Sequence, residues 1–326
     1  MALVETVRGP VDLADLGFVL MHEHMVTYDA TLGLQWPHLT EDGEAQVAAA
    51  VAMARNAKAL GVDTFVDLTT ANMDRDIERI RRVAEAADVH VIACTGLHPL
   101  LPVPFYLLAY RGRGIGIDGL ADLFVHDIEV GIAGTSVKAG IIKVGTEPLM
   151  DDTTEMVLRA AARAHRRTGV PISTHTYAKN ETGRVQQDVF ADEGVDLSRV
   201  VIGHSGDSAD LGYLEGLIAR GSVIGMDRFG CDVPGHTTLS TDERIEVVRE
   251  LCARGHAKAM VLSHDAFGYN ELFRPDYLEK EIPDWRFDFI SADVLPRLRA
   301  AGVSEQDIET MTVTNPREFF ARQGAY

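Results

Sequence analysis

The chain has 326 residues, with 31 Lys and Arg against 49 Asp and Glu, a net charge of −18 before any histidine titrates. Its 46% hydrophobic and 25% charged residues match an ordinary globular protein long enough to bury a sizeable core. So acidic a chain, with no dense Lys/Arg run, repels nucleic-acid backbones and anionic membranes, and neither is an expected partner. Cys94, Cys231 and Cys252 are odd in number and have no paired spacing. That argues against a disulfide framework or a Cys-rich zinc site and for a reducing compartment. The opening MALVETVRGP has no apolar h-region, and no apolar run approaches the roughly 18–20 residues of a membrane span. A cytoplasmic location is expected.

In chain order, the first β-branched, apolar run is 18–25 (FVLMHEHM), followed by an Ala-rich helical stretch over 44–60. The run at 62–68 (VDTFVDL) precedes a helix at 74–87, where charge alternates with apolar residues at i, i+3 and i+4. Next come 89–95 (VHVIACT) with a helix at 120–132, and 139–144 (AGIIKV) with a helix at 153–168. The pattern continues through 170–175 (VPISTH), helix 182–193, 199–204 (RVVIGH), helix 209–220, 222–227 (SVIGMD) and helix 242–254. The eighth run is 259–264 (AMVLSH), followed by a long loop over 267–289, a helix near 291–301 and two short helices over 304–320. Gly61, Gly169, Gly221 and Gly255 each sit between a helix and the next strand, the usual place for a helix-ending glycine. Eight strand–helix alternations with strands apolar on both faces predict a (β/α)₈ TIM barrel, an α/β fold. An open doubly wound sheet is the alternative, but it ordinarily carries a glycine-rich phosphate loop where this chain has His-Glu-His. No Pro-, Gly- or Ser-rich linker divides the chain, so one domain over 1–326 is expected.

Charged and imidazole side chains are costly on buried strands unless something satisfies them. Here they fall at or near the C-terminal ends of five candidate strands: His22 and His24, Lys143, His175, His204, and His264 with Asp265. In a barrel those ends converge on one face, the usual seat of the active site. His22 and His24 are two apart on a strand and share a face, which makes a two-nitrogen metal clamp if that face is the interior. His264 should point to the other side of its strand, as a satisfied barrel–helix histidine. A buried Lys143 would tend to lose its proton. Neutral, it could form a Schiff base or react with CO₂ to give a carbamate with two oxygens; alternatively it reaches to solvent. Four His, one Asp and a carbamate would suit two borderline ions such as Zn²⁺.

This ordered set resembles the amidohydrolase superfamily and, within it, the phosphotriesterase family, closest to the phosphotriesterase-like lactonases. The likeness runs through MHEH (21–24), TGLHPLLPVPFY (95–106), GIIKVGT (140–146), PISTHT (171–176), VVIGHSGDS (200–208), GMDRFG (225–230), VLSHDA (261–266) and TNPREFF (314–320). The resemblance implies a metal-dependent hydrolase with two divalent ions, zinc first and cobalt, iron or manganese as alternatives. His22, His24 and Asp265 would hold the more buried ion and His175 and His204 the more exposed one. Carboxylated Lys143 and a hydroxide would bridge them, and Asp265 would also take the proton of the attacking hydroxide. It implies further that the substrate is a lactone or related carboxylic ester, with weak phosphotriester hydrolysis as a side activity. A dedicated phosphotriesterase, or an inactive binding protein on the same fold, are the competing readings. Arg228 resembles the arginine that shapes the lactonases' substrate loops, and could instead pair with Asp227. One departure matters: His98 stands where the lactonases carry a tyrosine near the metals, and Leu100 replaces a second aromatic. Tyr28 is a candidate to supply the missing hydroxyl. In the loop after the eighth strand, Tyr269, Phe273 and Trp285 are candidate substrate-binding residues. Family likeness also implies a homodimer.

Overall fold

The computed structural model describes residues 2–233, 239–321 and 324–326. Two four-residue strands, β1 (Leu3–Thr6) and β2 (Gly9–Asp12), pair antiparallel ahead of everything predicted. Strands that short carry too few positions to show period-two alternation, so the sequence pattern does not reveal them.

The eight predicted strands are β3 (Phe18–Glu23), β4 (Val62–Asp67), β5 (His90–Gly96), β6 (Ile141–Gly145), β7 (Ile172–His175), β8 (Val200–Ile202), β9 (Val223–Met226) and β10 (Met260–Leu262). Each is parallel to the next in chain order. The last returns to the first: Asp265 N–H donates to the His22 carbonyl (3.0 Å), and His24 N–H to that of Ala266 (2.9 Å). The architecture is a (β/α)₈ barrel. All four helix-ending glycines named above have positive φ, from +75° to +104°, the left-handed conformation that glycine adopts at no steric cost.

Alternation along the strands sorts the core into two layers. Val19, Met21, Val66, Ile92, Ile141, Val201, Val223 and Val261 fill the barrel interior, plugged below by Val4, Leu13, Leu16, Phe319 and Phe320. Leu20, Phe65, Val91, Ile142, Ile172, Ile202, Ile224 and Leu262 face the helices. Strict alternation from Leu20 would turn His22 and His24 toward the helix layer. A register shift between Leu20 and Glu23, against β4, prevents this. The irregularity re-aims the strand end, so that Glu23 takes the helix-side position and both imidazoles enter the mouth.

The long loop after β10 contains a short helix, Pro275–Glu281. The closing segment is one right-handed run, Glu305–Glu309, a π turn Thr310–Thr314 and Asn315–Ala321, rather than two separate helices. A second π turn covers Ile290–Val294. Each ends two residues before a proline, Pro296 or Pro316, whose missing N–H and ring displace the helical hydrogen-bond register. Among the described residues no helix is long and apolar enough to cross a membrane.

Candidate metal centre

At the C-terminal mouth the strand ends bring six side chains together. The Nε2 atoms of His22 and His24 each lie 3.1 Å from Asp265 Oδ1. Lys143, fully buried, places Nζ 3.1 Å from His22 Nε2 and 3.3 Å from the Thr174 carbonyl. His204 Nε2 lies 2.9 Å from His175 Nδ1 and 3.9 Å from Asp265 Oδ2. His204 and Asp265 both hold left-handed backbones (φ +56° and +58°), which non-glycine residues seldom adopt outside sites that require a particular aim.

The opposite ring nitrogens explain the inward aim. Asp227, an acceptor only, takes His22 Nδ1–H (2.8 Å) on one oxygen, and on the other the backbone N–H (2.7 Å) and Nδ1–H (3.1 Å) of His204. His24 Nδ1 meets Thr69 Oγ1 at 2.9 Å, and His175 Nε2 lies 3.1 Å from Glu147 Oε1. With the protons on the outer nitrogens, lone pairs of His22 Nε2, His24 Nε2, His204 Nε2 and His175 Nδ1 would converge with a carboxylate. Such a set of mutually repelling acceptors fits a divalent cation and little else. The ligand atoms of His22, His24 and Asp265 lie within 4.8 Å of one another. The same holds for His22, His204 and Asp227, but the oxygens of Asp227 are already engaged as the outer partner of two rings.

Burial, with Lys143 beside it, lowers the pKa of His22; burial and Arg228 hold His175 and His204 well below the usual range. Burial also lowers Lys143 to about 8, against the opposing pull of Asp265 and Asp227. For Asp265 burial opposes ionisation, but His22, His204, His24 and Arg228 together hold its carboxyl well below the ordinary value. The mouth therefore favours neutral rings at His22, His175 and His204, an ionised Asp265 and a weakened Lys143 base, protonation states that suit metal ligation.

A cavity of about 270 Å³ opens over this cluster, lined by His24, His98, His175, Glu147, Arg228, Asp265, Phe273 and Trp285, among others. Arg228 donates from Nε to Asp265 Oδ2 (3.2 Å) and from Nη1 to Asp207 Oδ2 (2.8 Å), not to Asp227. His98 packs its ring edge on His175, centroids 5.1 Å apart, and its Nδ1 accepts the Leu100 N–H (3.2 Å), which leaves the proton on Nε2. Phe267, Trp285 and Phe273 form a contiguous aromatic cluster, with Phe267 also stacked on His24.

Two candidates fall elsewhere. Tyr28 lies under the Arg79 guanidinium, 4.3 Å from its ring centre, and Tyr269 packs on the helix-side core with its hydroxyl near Glu271; neither lines the cavity. The cause is that the chain beyond β3 pairs with the chain beyond β10, Thr27 N–H to the Tyr269 carbonyl and Tyr269 N–H to that of Met25, which carries both tyrosines past the mouth. His264, by contrast, sits on the helix side between Glu23 Oε1 (2.7 Å) and the Ile290 N–H (2.9 Å), as its strand parity predicts. Sequence reasoning missed Asp227, Asp207, Glu147, Tyr177 and Phe267. Asp227 and Asp207 stand inside quoted motifs and could have been flagged as buried acids near strand ends; nothing local marks the others.

A barrel whose mouth gathers four imidazoles, a carboxylate and a buried lysine around inward lone pairs defines a metal-dependent hydrolase. The model of the Phosphotriesterase family matches residues 2–320. A "Phosphotriesterase homology protein" of Mycobacterium tuberculosis is 48% identical over the whole of both chains. An "Aryldialkylphosphatase" of Saccharolobus solfataricus is 37% identical over 96% of this chain and 98% of its own. The solved phosphotriesterase structure from M. tuberculosis superposes with a TM-score of 0.93 at 47% identity, covering 99% of this chain and all of that one. The chain belongs to the phosphotriesterase family, whose members are binuclear metal hydrolases.

Proposed function

We propose that the protein hydrolyses lactones or related carboxylic esters, with phosphotriester cleavage as a weak side activity. The mixed lining of the cavity supports this reading: an aromatic cluster of Phe267, Phe273 and Trp285, stacked on His24 through Phe267, and a polar group of His98 and Glu147 around His175, with Arg228 beside Asp265. A lactone lays one tail on the aromatic cluster and turns its ring and carbonyl to the polar group. A phosphotriester projects three arms from a tetrahedral centre, one of which would face polar groups left without partners.

In this reading His22, His24 and Asp265 would hold one ion and His175 and His204 the other, and Lys143, once carboxylated by CO₂, would add an anionic ligand to both. Nitrogen and oxygen donors of this kind suit zinc, and cobalt, iron or manganese less well. When bound, two such ions acidify a water and polarise the scissile carbonyl. Asp265 turns Oδ1 toward His22 and His24, and Oδ2, which already accepts from Arg228 Nε, would take the proton of the attacking water on its remaining lone pair. His98 offers Nε2–H to a substrate oxygen in the role of the lactonases' tyrosine, and Phe273 and Trp285 hold the tail. Exposed apolar side chains on the loops after β3 (Leu34, Trp36, Leu39) and β5 (Phe105, Tyr106) support a homodimer.

The test is a lactone panel followed by proton release, with and without a chelator, beside an aryl dialkyl phosphate. Chelator-sensitive turnover favouring one ring size and tail length is expected. A kcat/KM for lactones about a hundredfold or more below that for the phosphate ester, roughly 3 kcal/mol of transition-state binding, would reverse the assignment.

A further inference from the structure

Arg244 has no place in the cavity, yet among the described residues it is the largest side chain with no solvent exposure. It rises from the helix Thr241–Ala253, where an apolar residue would fill the space without the cost of burying a charge. Its guanidinium joins two segments. One Nη donates to Asp207 Oδ1 in the turn after β8, the other to Asp232 Oδ1 beyond β9, both at 2.8 Å. Asp207 gives its remaining oxygen to Arg228, and Arg228 Nε reaches Asp265. Asp232 stands between Cys231 and Val233, both of which line the cavity, and its second oxygen accepts from the N–H and hydroxyl of Thr241. An unbroken chain of charges, Asp265–Arg228–Asp207–Arg244–Asp232, therefore runs from the metal centre to the back of the substrate wall.

We infer that Arg244 is a positioning residue that locks the 231–233 wall and, by dividing the two oxygens of Asp207, holds Arg228 against Asp265, so that wall and proton acceptor keep one register. Without Arg244 the Asp207 oxygen it holds loses that donor, and the grip of Asp207 on Arg228, and through it on Asp265, shifts. Asp232, 42% exposed at its side chain, would hydrate and release the wall.

The kinetic arm of the test rests on the lactonase reading; the labelling arm does not. Asp232→Ala, Arg244→Met and the double variant are prepared as metal-loaded enzyme. Alkylation of Cys231, 5% exposed, is followed by peptide mass spectrometry, with fully buried Cys94 reporting global opening. Asp232→Ala should label Cys231 about tenfold faster with Cys94 unchanged, and raise KM for a long-tailed lactone about tenfold with kcat within about twofold. Arg244→Met should add a kcat loss of about tenfold, and the double variant should match it, because both substitutions cut one chain. In Asp232→Ala the buried guanidinium of Arg244 keeps Asp207 as its partner, so this variant retains a paired charge and carries the labelling test even where Arg244→Met does not fold. Unchanged Cys231 labelling, or Cys94 rising in parallel, overturns the inference. If the enzyme prefers phosphotriesters, the kinetic comparison moves to tails on those and the labelling result stands unaltered.

Discussion

A lysine without solvent exposure has to be paired, neutralised or modified, and Lys143 has no carboxylate dedicated to it. Its Nζ faces the lone pair of His22 Nε2 and the Thr174 carbonyl, and burial brings its pKa down to about 8. An amine in that range is about one-tenth neutral at pH 7, far more than an ordinary lysine, and the neutral form is the one that adds CO₂. Lys143→Ala should therefore lose most bound metal and reduce kcat/KM by about a thousandfold or more, with partial recovery in millimolar acetate or propionate. Metal analysis and a rescue titration check this; full metal content with undiminished activity would remove the bridging lysine from the site. His98 belongs to the same scale. The structure places it against His175 with Nδ1 engaged by the Leu100 N–H, so the departure from the lactonases' tyrosine keeps a hydrogen-bond donor at Nε2 and shortens its reach.

Among elements, the irregularity in β3 and the helix 152–168 carry the consequences. Strand parity alone would send His22 and His24 outward, and only the shifted pairing with β4 turns them in. The helix Asp152–Thr168 carries in its last turn His165, fully buried, which donates Nδ1–H to the Val170 carbonyl (2.7 Å) and meets the Tyr326 hydroxyl at Nε2 (2.8 Å). Burial lowers its pKa to about 4, the Val170 carbonyl opposing in part. The unfolded chain binds that proton near pH 6.5 and the folded chain only near 4, so the unfolded state gains protons first as pH falls. The contribution of the neutral ring is complete above pH 6.5 and is lost between 6.5 and 4, roughly 3 kcal/mol in all. Urea unfolding of the wild type should therefore weaken across that window more steeply than that of His165→Gln. Identical pH dependence in both proteins would dismiss His165 as the source.

For the whole molecule, a net charge of −18 keeps copies apart at long range, and association needs an apolar patch to overcome it. Tyr106 is 84% exposed and packs on Phe105, 73% exposed, while Leu34 is 80% exposed on the loop after β3, apolar surface that a second copy would cover. Light scattering in 0.15 M salt should give twice the 35.6 kDa chain mass. Trp36→Glu with Tyr106→Glu should give a folded monomer, since two charges desolvated in such an interface cost several kcal/mol. A wild-type monomer at micromolar concentration would dispose of the dimer.

Eight buried β-branched runs, their helix-ending glycines and the polar residues at their C-terminal ends were legible in the chain, because alternation and burial cost act over a few neighbouring residues. From them followed the barrel with its strand-end polar residues; the family and the six-residue set followed from the motifs' resemblance to known proteins. What only the tertiary structure decided depends on contacts between distant segments. The pairing beyond β3 and β10 removed Tyr28 and Tyr269 from the cavity. The β3 irregularity re-aimed the imidazoles, and Asp227, Asp207, Glu147 and Arg244 acquired partners that no local spacing announces. A sequence carries the cost of burying each polar group; the group that meets that cost lies tens to hundreds of residues away, and packing alone selects it.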